Sequence, residues 1–110
     1  MGFIQKLFGL TTKTDTRLED ALNNGAMLID VRTPAEFKQG SVPGAINIPV
    51  EVIAEQTNRI PRHQPVVVFC RSGNRSERAK NILETKGYKN VLNGGSWQNV
   101  AQLLQNKLSQ

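Results

Sequence analysis

The side chains best suited to chemistry stand together in one stretch, Cys70-Arg71-Ser72-Gly73-Asn74-Arg75-Ser76. Cys70 is the only cysteine of the chain and follows the apolar run Val66-Val67-Val68-Phe69. A free thiol ionises near pH ~8.5 and only its thiolate is a nucleophile, so surroundings that favour the anion make it reactive. Three features here do so. A helical pattern begins directly behind the loop, and its N-terminus favours negative charge. Successive backbone N–H groups in a tight loop can curl around an anion. Arg71, Arg75 and Arg78 bring positive charge. Gly73 supplies backbone freedom, and Ser72 and Ser76 supply hydroxyl donors of little bulk. A strand-end cysteine can also be a small apolar packing residue. A loop of arginines, serines and a glycine is not what a packing residue needs.

The elements that must position this loop can be read around it. Thr16-Arg17-Leu18-Glu19 has the form of a capping box, with Leu18, Ala21 and Leu22 on one face and Gly25 ending the helix. Met27 to Val31 is an apolar run with Asp30 near its end. Thr33-Pro34-Ala35-Glu36 is a second capping box with proline at the first helical position, and Gly40 stops that helix. Val42-Pro43-Gly44 is a turn, and Ala45 to Ile48 a short strand. Pro49 leads into a helix whose contacts come from Val50, Val52, Ile53 and Ile60. Val66 to Cys70 is a strand. Ala79, Ile82 and Leu83 give the next helix its buried face, ended by Gly87. Tyr88 to Leu92 reads as a strand and Gly94-Gly95 as a turn. Ser96 caps a last helix with Trp97, Val100, Ala101, Leu104 and Leu108 inward.

Strands alternate with helices, and the strands are apolar runs rather than alternating patterns. This predicts an α/β fold with a mainly parallel sheet and helices on both faces. Ligands bind such sheets at the carboxyl ends of the strands. Asp30 and Cys70 both fall at predicted strand ends and should share a crevice.

A length of 110 residues predicts one domain with a core that needs no disulfide or metal. The net charge of +5 suits anionic partners. The basic residues are scattered and aromatics are few, which argues against nucleic acid. One cysteine and one histidine exclude an internal disulfide and disfavour zinc; no metal and no cofactor are expected. Phe3, Ile4, Leu7, Phe8 and Leu10 have helical spacing, and Thr11 to Thr14 reads as a linker or an edge strand. The first ten residues lack a cleavage pattern and are too short and interrupted to span a membrane. No integral membrane segment is expected, and the cytoplasm is the expected compartment. His63 lies in a proline-bounded loop and reads as a surface residue.

The Cys70–Ser76 loop resembles the active-site loop of rhodanese-like domains, the thiosulfate sulfurtransferases. Leu28-Ile29-Asp30-Val31-Arg32-Thr33-Pro34-Ala35-Glu36-Phe37 resembles the first signature of that family. Gly40-Ser41-Val42-Pro43-Gly44-Ala45-Ile46-Asn47-Ile48-Pro49 resembles the second, and Leu92-Asn93-Gly94-Gly95 with Trp97 the closing one. The resemblance implies a single rhodanese-like domain over residues 15–108 with a roughly five-stranded sheet, preceded by an extension over residues 1–14. It implies that Cys70 takes the outer sulfur of a small anionic donor such as thiosulfate, forms a persulfide and passes the sulfur to cyanide or a thiol. Arg71, Ser72, Gly73, Asn74, Arg75 and Ser76 are then the substrate loop, with Arg71 and Arg75 as candidates to orient the sulfonate. Asp30, Arg32 and Glu36 are read as an ionic cluster that fixes the neighbouring strand end. The family carries histidine where this chain has Ser41; that histidine is read as structural, so little loss of activity is expected.

Two rival functions use the same loop. A cysteine phosphatase or arsenate reductase needs an arginine six residues after the cysteine to grip a tetrahedral oxyanion; Ser76 stands there and Arg75 falls one short. A loop shorter by one residue suits a single sulfur atom. A persulfide carrier or interaction module would receive sulfur from a partner protein's persulfide and differs only in donor and acceptor.

Overall fold

The computed structural model describes residues 16–108. The expected helix over Phe3–Leu10 and the Thr11–Thr14 segment lie outside the described residues. Helix α1 (Arg17–Asn23) leads into strand β1 (Met27–Asp30); helix α2 (Pro34–Gln39) and strand β2 (Ile46–Asn47) follow. Two single 3₁₀ turns, Ile53–Glu55 and Thr57–Arg59, precede strand β3 (Val66–Cys70), helix α3 (Asn74–Thr85), strand β4 (Val91–Ser96) and helix α4 (Trp97–Leu108).

The sheet has the order β2-β1-β3-β4, and every pairing is parallel. Among the described residues it has four strands where about five were expected. β3 is central and buried along its whole length. Its side chains alternate between faces. Val66, Val68 and Cys70 pack with Ile29, Ile53, Ala79 and Leu83 on the α3 face. Val67 and Phe69 pack with Ala21, Leu22 and Val100 on the face covered by α1 and α4. Both faces are thus closed, which is why the strands read as continuous apolar runs.

Several elements depart from the sequence pattern. The segment after Pro49 forms two short 3₁₀ turns, not a helix. Its backbone N–H groups bond three residues back, Glu55 to Val52, Gln56 to Ile53 and Ile60 to Thr57, and the Tyr88 hydroxyl ties down the end of the segment at the Thr57 and Ile60 carbonyls, 3.0 and 2.6 Å away. The last strand begins three residues later than expected, at Val91, and runs through Gly94 and Gly95 instead of turning there. Its register against β3 passes from Val68↔Asn93 to Cys70↔Ser96, so a bulge absorbs one extra residue. Gly94 is needed for close approach: a Cβ there would lie 2.6 Å from Val100 Cγ2 and 3.0 Å from Val67 Cγ1. On α4, Leu103 packs inward while Leu108 is exposed, contrary to the assignment of Leu108 to the inner face.

The caps also divide. Thr33 and Glu36 form the capping box, and Ser96 Oγ accepts the Asn99 N–H at 3.0 Å. Thr16 does not cap α1; its hydroxyl turns to Asp20 Oδ2 at 3.3 Å.

Candidate active site

Cys70 is the last residue of β3, and the chain behind it turns in three residues into α3. Gly73 makes the turn with φ of +99°, a value that L side chains resist. This aims the Gly73 N–H at the sulfur, 3.0 Å from Sγ. The first turn of α3 brings Ser76 Oγ to 3.4 Å from Sγ. Cys70 and Ser76 are both buried. Burial pushes the thiol's ionisation up, but the Ser76 hydroxyl and the backbone N–H groups of Ser76, Ser72 and Gly73 outweigh it. The net result lies below the ordinary thiol value. The thiolate is therefore favoured by dipoles converging on one point at the start of a helix.

The arginines take different places. Arg75 reaches away from the sulfur to α2, where its guanidinium donates to both oxygens of Glu36 at 2.7 and 3.0 Å. That bond, with the Thr33 N–H, holds the Glu36 carboxyl down from 4.5 to about 2. Arg75 still feels the attraction of Cys70 and Glu51, but both its terminal nitrogens are turned to Glu36. Arg71 is exposed and, among the described residues, makes no hydrogen bond or ion pair. It borders an open groove of about 360 Å³ together with Gln39, Trp97 and Gln98. Ser72 and Asn74 are exposed at the rim.

Asp30 and Arg32 come together, while Glu36 stands apart from them with Arg75. Arg32 donates from its backbone N–H (3.0 Å), Nε and Nη2 to Asp30, the shortest contact being 2.6 Å. Ser41 Oγ donates to Asp30 Oδ2 at 2.6 Å. Arg32 also donates to the Gly40 carbonyl at 2.6 Å and stacks over the Trp97 ring at 5.3 Å. This buried cluster ties β1 to the end of α2 and the start of α4. It braces the crevice wall and turns no donor toward the sulfur. Ser41 thus has a defined structural task. His63 is exposed in its loop.

One residue of the site, Asn93, carries no role in the sequence motifs. Asn93, midway along β4, accepts the Ser76 hydroxyl at 2.7 Å and donates to the Gly73 carbonyl at 3.0 Å. Its signal was a polar side chain at a strand end directly before two glycines. Taking the glycines as a turn hid the fact that the strand delivers Asn93 to the loop.

A buried thiol under a helix N-terminus, ringed by neutral donors and bordered by one uncommitted cation, can attack a small electrophilic sulfur and hold the resulting anion. Known proteins carry the same arrangement of sequence and fold. The family described as Rhodanese-like domain matches residues 14–102. A sulfurtransferase of Allochromatium vinosum is 45% identical over 67 residues, which are 61% of this chain and 63% of that protein. The thiosulfate sulfurtransferase PspE of Escherichia coli is 40% identical over 75 residues, covering 66% of this chain and 72% of the relative. A solved rhodanese with anions from E. coli superposes with a TM-score of 0.66 at 37% identity, over 70% of this chain and 93% of that one. The match to the Allochromatium protein thus spans just under two thirds of that protein's length.

Proposed function

Because the chain belongs to the rhodanese-like domain family, we propose that it is a sulfurtransferase that carries sulfur on Cys70. The observation that carries this reading is the Cys70 sulfur itself, buried at a strand end with the Gly73 N–H at 3.0 Å. In the first step the thiolate attacks the outer sulfur of thiosulfate. A new S–S bond forms, the old one breaks, and its electron pair leaves with sulfite. Cys70 is left as a persulfide anion. In the second step cyanide or a thiolate attacks the outer sulfur, and the Cys70 thiolate returns. Splitting one transfer into two is the gain of covalent catalysis. The loop N–H groups are fixed before reaction, so they stabilise the anionic sulfur without reorganising.

Arg71 is the cation available to draw in the sulfonate, since Arg75 is held by Glu36. That commitment also speaks against a phosphatase, which needs its arginine over the loop. Thiosulfate as donor and cyanide or a thiol as acceptor are part of the proposal, as is the cytoplasm, a compartment that keeps a lone thiol reduced. The persulfide-carrier reading draws on the open groove beside Arg71, which would admit a larger thiol or a partner's persulfide.

The test is steady-state sulfur transfer from thiosulfate to cyanide. Cys70→Ser is expected to reduce turnover to background while leaving the thermal unfolding curve cooperative. Turnover retained in that variant would end the proposal. Slow turnover beside rapid sulfur exchange with a protein persulfide would favour the carrier.

A further inference from the structure

Asn93 stands opposite Val68 on β4, just before the bulge at Gly94-Gly95. The sense of its amide is fixed by neighbours that cannot change roles. Oδ1 accepts the Gly95 N–H at 2.9 Å. Nδ2 donates to the Gly73 carbonyl and to Glu77 Oε1, each at 3.0 Å. A backbone N–H only donates and a carbonyl only accepts. Turning the amide over would set like against like at all three contacts. Oδ1 therefore faces Ser76 as an acceptor and takes its hydroxyl proton at 2.7 Å.

Ser76 has one proton, and its Oγ also lies 3.4 Å from Cys70 Sγ. While the proton is on Asn93, Oγ shows the sulfur only lone pairs. That suits a neutral S–H, which can donate, and fails a thiolate, which can only accept. To serve the thiolate, the Ser76 hydroxyl must rotate and give up Asn93.

We propose that Asn93 is a positioning residue for sulfur loading, competing with Cys70 for the Ser76 proton and so keeping the free thiolate less stabilised and more nucleophilic. The inference rests on the sulfur-transfer reading of Cys70. Nucleophilic attack on sulfur weakens as the thiolate is stabilised. Once loaded, Sγ is neutral and bonded to the outer sulfur, and the Ser76 proton returns to Asn93. The competition thus acts on the reactant and spares the persulfide. The charges around this point are Arg71, next to Cys70 in sequence, Arg75 held by Glu36 of α2 and attracted by Glu51, and Glu77 of α3 on the Asn93 amide. Arg17 of α1 and Lys80 of α3 border the cleft outside Asn93. A neutral substitution at position 93 leaves all of these charges in place.

The test is the rate of Cys70 alkylation by iodoacetamide against pH on the full chain, which gives the thiolate midpoint and the plateau rate. In Asn93→Ala the midpoint is expected to fall by about one pH unit, since a charged acceptor gains one hydrogen bond. The plateau rate should fall about threefold, following the lower basicity. In the Ser76→Ala background the same substitution should move neither. A midpoint that stays or rises in Asn93→Ala, or a fall of equal size without Ser76, would overturn the proposal. Should Asn93→Ala fail to fold, Asn93→Asp carries the test. Its carboxylate holds the proton harder and should raise the midpoint more with Ser76 present than without; equal rises would overturn the proposal. Alkylation reads the thiolate whether or not sulfur is transferred, so its outcome is separate from that of the thiosulfate assay.

Discussion

At the carboxyl end of β1, Asp30 is fully buried and met by a cation, a hydroxyl and a backbone N–H. One strand over, just beyond the residue registered with Asp30, Cys70 is buried as deeply and met only by uncharged groups, the Gly73 N–H and the Ser76 hydroxyl. Arg75, the loop cation that feels the Cys70 charge, is paired with Glu36. The contrast sets a brace beside the proposed reagent at one end of the sheet. A buried anion with a full complement of partners is locked in place. A buried anion given only dipoles is stabilised enough to form and is left with reactivity to spend.

Substitutions can break this contrast from either side. The largest effect on stability is expected from Asp30→Ala, which leaves the Arg32 charge buried and unpaired. The loss should be about 3–5 kcal/mol in urea unfolding, while the alkylation midpoint of Cys70 in the folded fraction stays in place. A small loss of stability would mean that the brace is not what holds the crevice wall.

A smaller effect is expected from Glu36→Gln, because the pair is about one third exposed, at 32% for Arg75 and 30% for Glu36. The cost at neutral pH should be at most about 1 kcal/mol. Its pH dependence has a definite sign. The Glu36 carboxyl is held down from 4.5 to about 2 in the fold. Its contribution is therefore complete above the unfolded value and is lost as pH falls toward the folded one. The gap between wild type and Glu36→Gln in denaturant unfolding should narrow across that window. The released Arg75 should also lower the Cys70 midpoint by roughly a few tenths of a pH unit. A midpoint that does not move would show that Arg75 is no latent partner of the sulfur.

The Cys70 loop was legible because its chemistry is local. Residue types, the glycine and the start of a helix all lie within one heptapeptide. The Thr33–Glu36 capping box was legible for the same reason, being a contact three residues long. The Arg75–Glu36 pair joins residues 39 apart and the Ser76–Asn93 bond residues 17 apart. Only the packing of α2 and β4 against the loop creates them, and no spacing rule reaches that far. The turn assigned to Gly94-Gly95 failed because glycine marks close approach as well as reversal. There the backbone must pass Val100 and Val67 with no room for a Cβ. The helix assigned after Pro49 closes its backbone bonds three residues back instead of four, and its end is tied to Tyr88, distant in sequence.

In the proposed reaction Cys70 alone carries the transferred sulfur. The most direct measurement is the intact mass of the full chain after incubation with thiosulfate, before and after cyanide. The wild type is expected to gain one sulfur atom and lose it to cyanide, and Cys70→Ser to gain none. A wild-type mass that does not change, or an equal gain in Cys70→Ser, would contradict it.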